Sequence, residues 1–348
     1  MIVSTTLTHN CQHIIRDALL SVVNWVDLCL VIDTGVTDHT LAIARDVAGV
    51  KYREVRHQWS DFSVGRNLAL QAAADLGGSW AITLDTDERI IGGSDLRGEI
   101  LRATEDVLLI PAAQGNYSKE RIFRLPARGR WVGPTHEAYG GISGFRRRTI
   151  EWASFTEVPK IAQDYGDKFR RDIRALRPYI EMYPKEPRWY FYLGESHLGL
   201  REYELAVEAY DACAALKGWN EESAWACFRA AECLCALDRP EEALERLALG
   251  LSLHSGIAEL AWYAGFICYQ LGRDTQAIYW ANLAIVHGMF RGDGATIPRV
   301  SFRNLTGLWE GPYDVLRWAE RRRGNEKAAL EAENLWQEAL EARLGARA

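Results

Sequence analysis

The chain has 348 residues, more than one ordinary domain needs and enough for two, each with its own core. Hydrophobic residues make up 48% and charged residues 25%, which excludes a disordered chain. The formal net charge of -6 argues against nucleic-acid binding through bulk charge and leaves only a local basic patch for it.

Residues 1–7 show no basic start, long apolar run or small-residue cleavage site, so Ile2–Leu7 reads as a first strand rather than a signal peptide. A helix is expected over Asn10–Asn24, with Ile14, Ile15, Ala18, Leu19, Val22 and Val23 at helical spacing. Leu28–Ile32 reads as a buried strand, Asp38–Ala48 as a helix and Val50–Val55 as a strand. Asp61–Leu76 follows as a helix capped by Asp61, then Trp80–Leu84 as a fourth strand. This alternation predicts a parallel sheet with right-handed crossovers and helices on both faces. The ligand site of such a sheet lies beyond the carboxyl ends of its strands. After Ile91 the regularity fades. Val107–Pro111, Arg121–Leu125 and Thr149–Ala153 read as short strands. Between them the glycine-rich Arg128–Gly144 is either an active-site loop or an irregular connection.

From about Asp167 the period is helical, and it repeats. Superimposing Tyr190, Cys227 and Ala261 brings Gly194, Ala231 and Gly265 together. It also aligns Ala206, Ala243 and Ala277, then Tyr210, Leu247 and Ala281, then Cys213, Gly250 and Ala284. The register steps by 37 and then 34 residues, with small residues where two helices approach closely. Turns at 200–202, 237–240 and 271–273 separate the two helices of each copy. A partial fourth copy is expected over Tyr313–Arg322 and Glu326–Leu340, turning at Gly324-Asn325, and Lys168–Met182 is expected as a leading helix. No stretch approaches ~18 uninterrupted apolar residues, so no membrane span is expected. The seven cysteines include no Cys-x-x-Cys pair and read as buried thiols of a reducing cytoplasm. Two glycosylation sequons, at Asn116 and Asn304, carry no meaning in that setting.

Three stretches carry chemistry-bearing residues to the sheet's ligand edge. Asp85-Thr86-Asp87-Glu88 follows the fourth strand, and two carboxylates one residue apart there converge on a hard divalent cation that also takes phosphate oxygens. Asp33-Thr34-Gly35 follows the second strand. Asp33 either accepts hydrogen bonds from a base or ribose or satisfies turn amides. Arg66-Asn67 lies on a helix, where the guanidinium either forks onto phosphate or makes a surface ion pair.

Taken together, these stretches resemble the family 2 glycosyltransferases of GT-A fold, in particular the subgroup of lipopolysaccharide-core glucosyltransferases and bacterial transferases with tetratricopeptide-like C-terminal helices. The resemblance rests on Thr8-His9-Asn10-Cys11, where Cys11 replaces the usual Glu, and on Val31-Ile32-Asp33-Thr34-Gly35. It rests also on Trp59, Phe62 and Arg66-Asn67, on Leu84-Asp85-Thr86-Asp87-Glu88, and on Gly133-Pro134-Thr135-His136-Glu137. The fold class implied is α/β plus all-α: a GT-A, Rossmann-like nucleotide-diphospho-sugar transferase domain over 1–165, then a tetratricopeptide-repeat array over 166–345. The activity implied is an inverting, metal-dependent, hexosyltransferase-type glycosyltransferase with a nucleotide-sugar donor, a UDP-sugar first. Thr8, Asp33, Trp59, Arg66 and Asn67 would then contact the donor. Asp85, Asp87 and His136 would hold Mn²⁺ or Mg²⁺, and Glu137 or Glu88 would be the catalytic base.

The acceptor stays open among glycan, lipid, peptide and nucleic acid. The array offers a groove for a protein partner or self-association, or it only completes the fold. The loop 288–312 is basic and aromatic, with Arg291, Arg299, Arg303, Trp309 and Tyr313, and is either a ligand contact or a packed connector. The competing function is a catalytically inactive, transferase-like scaffold whose repeats bind a protein partner. No Walker A or Gly-x-Gly-x-x-Gly motif is present, which argues against a kinase or dehydrogenase.

Overall fold

The computed structural model describes residues 1–114, 117–141, 143–158, 162–292 and 302–345. The chain divides into two compact units, Met1–Asp164 and Tyr165–Ala348.

The first unit begins with β1 (Ile2–Thr8), α1 (Ile15–Leu20), β2 (Leu28–Asp33), α2 (Thr40–Ala48), β3 (Tyr52–Arg56), α3 (Phe62–Asp75) and β4 (Trp80–Thr83). It continues with β5 (Glu88–Ile91), α4 (Gly93–Arg102), β6 (Val107–Pro111), β7 (Ser118–Arg124), β8 (Arg130–Val132), β9 (Ala138–Gly140), β10 (Arg147–Thr149) and β11 (Ser154–Glu157). The main sheet has the order β10-β6-β7-β4-β1-β2-β3. β1 pairs in parallel with β2 and β4, and β2 with β3, as the alternation predicts. β7 then runs antiparallel between β4 and β6, so the whole sheet is mixed rather than parallel. β5 pairs with β11 and β8 with β9 in two small antiparallel sheets.

Helix α1 is much shorter than its apolar spacing predicts. The backbone turns tightly on both sides of it, and Ser21 Oγ donates back to the Ala18 carbonyl at 2.6 Å, an alternative to continued helix. α3 starts at its expected cap, where Asp61 accepts from the Val64 amide at 2.8 Å. Gly65 on α3 lies where a Cβ would collide with Leu7 of β1, so glycine lets this helix sit close on the sheet. The expected Thr149–Ala153 strand is instead two strands, β10 and β11, on different sheets. The glycine-rich stretch forms the β8–β9 hairpin, closed over Phe123 by Trp131 and Tyr139.

The second unit runs through α5 (Ala162–Met182), α6 (Pro187–Gly199), α7 (Tyr203–Leu216), α8 (Asn220–Ala236), α9 (Pro240–Leu253), α10 (Ala258–Gln270), α11 (Asp274–His287), α12 (Leu305–Leu308), α13 (Gly311–Arg322) and α14 (Glu326–Gly345). The pairs α6–α7, α8–α9, α10–α11 and α13–α14 are the repeats expected from the register. Ala206, Ala243, Ala277, Tyr210, Leu247, Ala281, Cys213 and Ala284 are all fully buried. A Cβ on Gly194 would lie 2.6 Å from the Tyr210 ring, which explains glycine there. Each repeat turns through one left-handed residue: Arg201 (φ 60°), Asp238 (59°), Gly272 (76°) and Gly324 (78°). No helix among the described residues is long and apolar enough to cross a membrane. All seven cysteines are free thiols.

Candidate active site

β1 has parallel neighbours on both sides, so the chain's strand order reverses there. That reversal opens a crevice at the carboxyl ends of β1, β2 and β4. Thr8 ends β1 opposite Asp33, which ends β2, and Asp85–Asp87 lie in the turn after β4. Three of the sequence-predicted elements therefore meet at one edge.

Asp33 is 2% exposed. Its Oδ1 accepts from the Gly35 and Val36 amides at 2.9 and 2.8 Å, and its Oδ2 accepts from Arg56 Nε at 3.2 Å. Burial opposes the Asp33 anion, but the Val36 and Gly35 amides and Arg56 outweigh it and hold the carboxyl below its ordinary range. Thr8 Oγ1 donates to the Ile32 carbonyl at 2.9 Å and so ties β1 to β2. Asn10 braces the next turn, accepting from the Thr37 amide at 2.8 Å. The Cys11 thiol, in the place where the family has Glu, is buried and pushed up by that burial.

Around Asp85 lies a ladder of four carboxylates and three cations. Arg66 Nε donates to Glu137 Oε1, and Arg66 Nη2 to Asp85 Oδ1 at 2.8 Å. Arg121 Nη2 donates to Asp85 Oδ2 at 3.0 Å and to Glu88. Lys119 Nζ donates to Glu88 Oε1 at 3.0 Å and to Glu157. Burial disfavours ionisation of Asp85, but the charges of Arg66, Arg121 and Lys119 hold it well below the usual carboxylate range. Burial likewise works against the Arg66 and Arg121 cations, and their acidic partners more than restore them. Among the described residues Arg66 Nη1 and Arg121 Nε are buried donors with no acceptor, so the ladder keeps hydrogen-bonding capacity in reserve.

The remaining expected residues fall into distinct places. Glu88 is fully buried, with Oε1 on two cations and Oε2 accepting from the Asp85 amide at 3.4 Å. Asn67 is engaged at both ends of its amide by the Trp131 backbone, donating to O and accepting from N at 2.9 Å each, which fixes the start of the β8–β9 hairpin. Trp59 is 40% exposed and packs edge-on to Phe62. Asp87 is half-buried, and its carbonyl accepts from the Val158 amide at 2.8 Å. His136 is half-buried at φ 49°, a left-handed conformation that turns the chain into Glu137. Among the described residues no three His, Cys, Asp or Glu side chains group closely enough to hold a metal by themselves.

Arg121, Lys119, Arg56 and Trp131 are the residues that sequence reasoning passed over. Arg66 lies over the Trp131 ring, 5.3 Å from its centroid. The available signal was Lys119-x-Arg121: two cations on one face of a strand whose neighbours Ile122 and Phe123 are apolar. The expected strand began at Arg121 and so missed the pair.

Residues 6–151, within the first unit, match the family model described as glycosyl transferase family 2. The chain is an α/β unit with a mixed sheet followed by a unit of paired helical repeats. A TPR repeat-containing protein of Synechococcus elongatus is 36% identical over 158 residues, covering 42% of this chain. This chain spans 38% of that relative's length. Among solved structures, MamA is 17% identical with a TM-score of 0.40, over 54% of this chain and 99% of that one. MamA from Desulfovibrio magneticus RS-1 is 16% identical with a TM-score of 0.38, over 52% of this chain and 96% of that one.

Proposed function

We propose that the first unit transfers a sugar, with inversion, from a nucleotide-sugar donor, a UDP-sugar first, to an acceptor hydroxyl of a glycan, lipid, peptide or nucleic acid. The observation that carries this reading is the meeting of Thr8, Asp33, Arg66 and Asp85 at the strand-end edge of a family 2 domain. Asp33 and Thr8 frame the place for the nucleoside, and Trp59 stands half-exposed for stacking. The buried Arg66 and Arg121 hold Asp85 ionised beside the place for a diphosphate.

The donor set suits Mn²⁺ or Mg²⁺, which take one or two carboxylates and complete their shell with phosphate oxygens and water. Asp85 has both oxygens on arginines, so the reading gives the direct contact to Asp87, with His136 as a further candidate. When bound, such a cation neutralises the leaving diphosphate.

The acceptor oxygen attacks the anomeric carbon. Its proton passes to a carboxylate, and the bond from that carbon to the diphosphate oxygen breaks. Full burial between two cations makes Glu88 a positioning group. That leaves Glu137, whose side chain is 11% exposed, as the base. The test is donor turnover, read as nucleoside diphosphate release. Glu137→Gln is expected to lower kcat by about 10²–10⁴-fold with KM retained, in a protein that still folds but melts lower because Arg66 loses a charged partner. An unchanged kcat removes Glu137 from the role. The free thiols support a reducing compartment, the cytoplasm.

A second reading, a transferase-like scaffold without activity, is favoured by the two arginines that already satisfy Asp85. It predicts no donor binding with or without Mn²⁺.

A further inference from the structure

The repeat register assigns equivalent positions on the first helices of three successive repeats. Arg188, Trp225 and Glu259 form one row, and Phe191, Phe228 and Trp262 form another. These rows define one continuous face of α6, α8 and α10. A segment from later in the chain lies on that face and touches all three repeats.

Phe302 packs its ring against Phe191 of α6 at 5.1 Å, against Trp219 at 5.6 Å, and stacks on Trp225 of α8 at 5.9 Å and 14°. Arg303 Nη1 pairs with Glu221 of α8 at 3.5 Å, and Glu221 is 1% exposed. The Asn304 amide donates to Glu259 Oε1 of α10 at 3.0 Å, and Glu259 is fully buried. Gly307 passes so close to Trp262 that a Cβ would lie 2.5 Å from its ring. An aromatic side chain, a cation and a backbone amide thus meet an aromatic pocket and two buried carboxylates in turn. The loop expected to be a ligand contact or a packed connector is, in its described part, packed onto the array. Arg299 lies outside the described residues.

We propose that this face is a peptide-binding groove closed by the chain's own Phe302–Leu308 segment. Its ligand is a peptide that carries an aromatic residue followed by arginine. The chemistry of the occupant defines the partner: the segment brings an aromatic ring, a guanidinium to Glu221 and a backbone amide to Glu259, and a peptide of the same chemistry brings all three. Trp225 and Phe228, stacked at 4.6 Å, then offer the aromatic seat. The inference concerns the array alone and stands whether or not the first unit is a transferase.

The probe is a fluorescent heptapeptide of sequence Phe-Arg-Asn-Leu-Thr-Gly-Leu, titrated into the full chain by anisotropy. Two variants release the segment by different means: Phe302→Ala removes its anchor, and Gly307→Val drives it off Trp262. Each is expected to bind the peptide at least tenfold more tightly than the unaltered chain, with helicity by circular dichroism unchanged. Peptides with Phe or Arg replaced by Ala are expected to lose that binding. Equal binding by all three proteins, or no binding by either folded variant, overturns the proposal. A variant that elutes as a dimer and rejects the peptide also overturns it, and assigns the groove to a second copy's segment.

Discussion

The two units solve close packing in opposite ways. The repeat array brings helices together by shrinking side chains: Ala206, Ala243 and Ala277 stand at one buried position of each repeat, and Gly194 admits the Tyr210 ring. Its interior is apolar along the columns; its buried acids Glu221, Glu222 and Glu259 stand in the first turns of α8 and α10, and most of its ion pairs, such as Arg246 with Asp211, lie near the surface. The first unit instead buries charge at its ligand edge, where Arg66, Arg121 and Glu88 are nearly inaccessible and depend on one another. A periodic apolar interior costs little and repeats easily. A buried ladder of charges costs desolvation and is retained where a site must be held rigid and ready for another charged group.

The sharpest way to break this contrast is to remove one rung of the ladder. Arg121→Leu takes one of the two cations from each of Asp85 and Glu88 and is expected to cost about 3–5 kcal/mol, read as a lower denaturation midpoint. In the array the comparable injury is steric. Gly194→Val drives a side chain into the Tyr210 ring and is expected to cost about 1–3 kcal/mol in the same measurement.

Acid acts with opposite sign on two pairs of carboxyl groups. Asp33 and Asp85 have folded-state pKa values below their unfolded ones. Their contribution is complete above about pH 4 and is lost as pH falls through the lower folded values. Burial raises Glu222 and Glu232 in the array, so their contribution is complete in acid and is lost as pH rises through the raised values. Melting temperatures across pH 3–7 are therefore expected to rise with pH less steeply in Asp33→Asn, and to fall less in Glu222→Gln. The smallest effect is conformational. Arg201→Gly relieves a left-handed residue and is expected to raise stability by about 0.5 kcal/mol, a small upward shift in melting temperature.

The array was legible in the sequence because its signal is local and repeated. Each close approach shows as Gly or Ala at a fixed offset, and each turn recurs. The first four strands and the Asp61 cap were legible for the same reason. Where pairing is non-local, periodicity failed. β7 enters antiparallel between β4 and β6, and nothing local in Ser118–Arg124 names its neighbours. Arg121 meets Glu88 across 33 residues of chain, so the ladder was visible only as separate charges. The strand pattern placed Asp33 and Asp85 at the ends of their strands, where they lie. Asn67 was expected near a donor, and its part in fixing the β8–β9 hairpin through the Trp131 backbone became visible only in the fold.

The account's central claim is that the first unit binds a nucleotide sugar with a divalent cation. The most direct measurement is calorimetric titration of UDP-sugars into the full chain with and without Mn²⁺, repeated on Asp87→Ala. The account predicts Mn²⁺-dependent binding of at least one donor, weakened by about 100-fold or more in Asp87→Ala without loss of folding. Binding that ignores both Mn²⁺ and Asp87, or no binding by the folded chain to any donor, would contradict it.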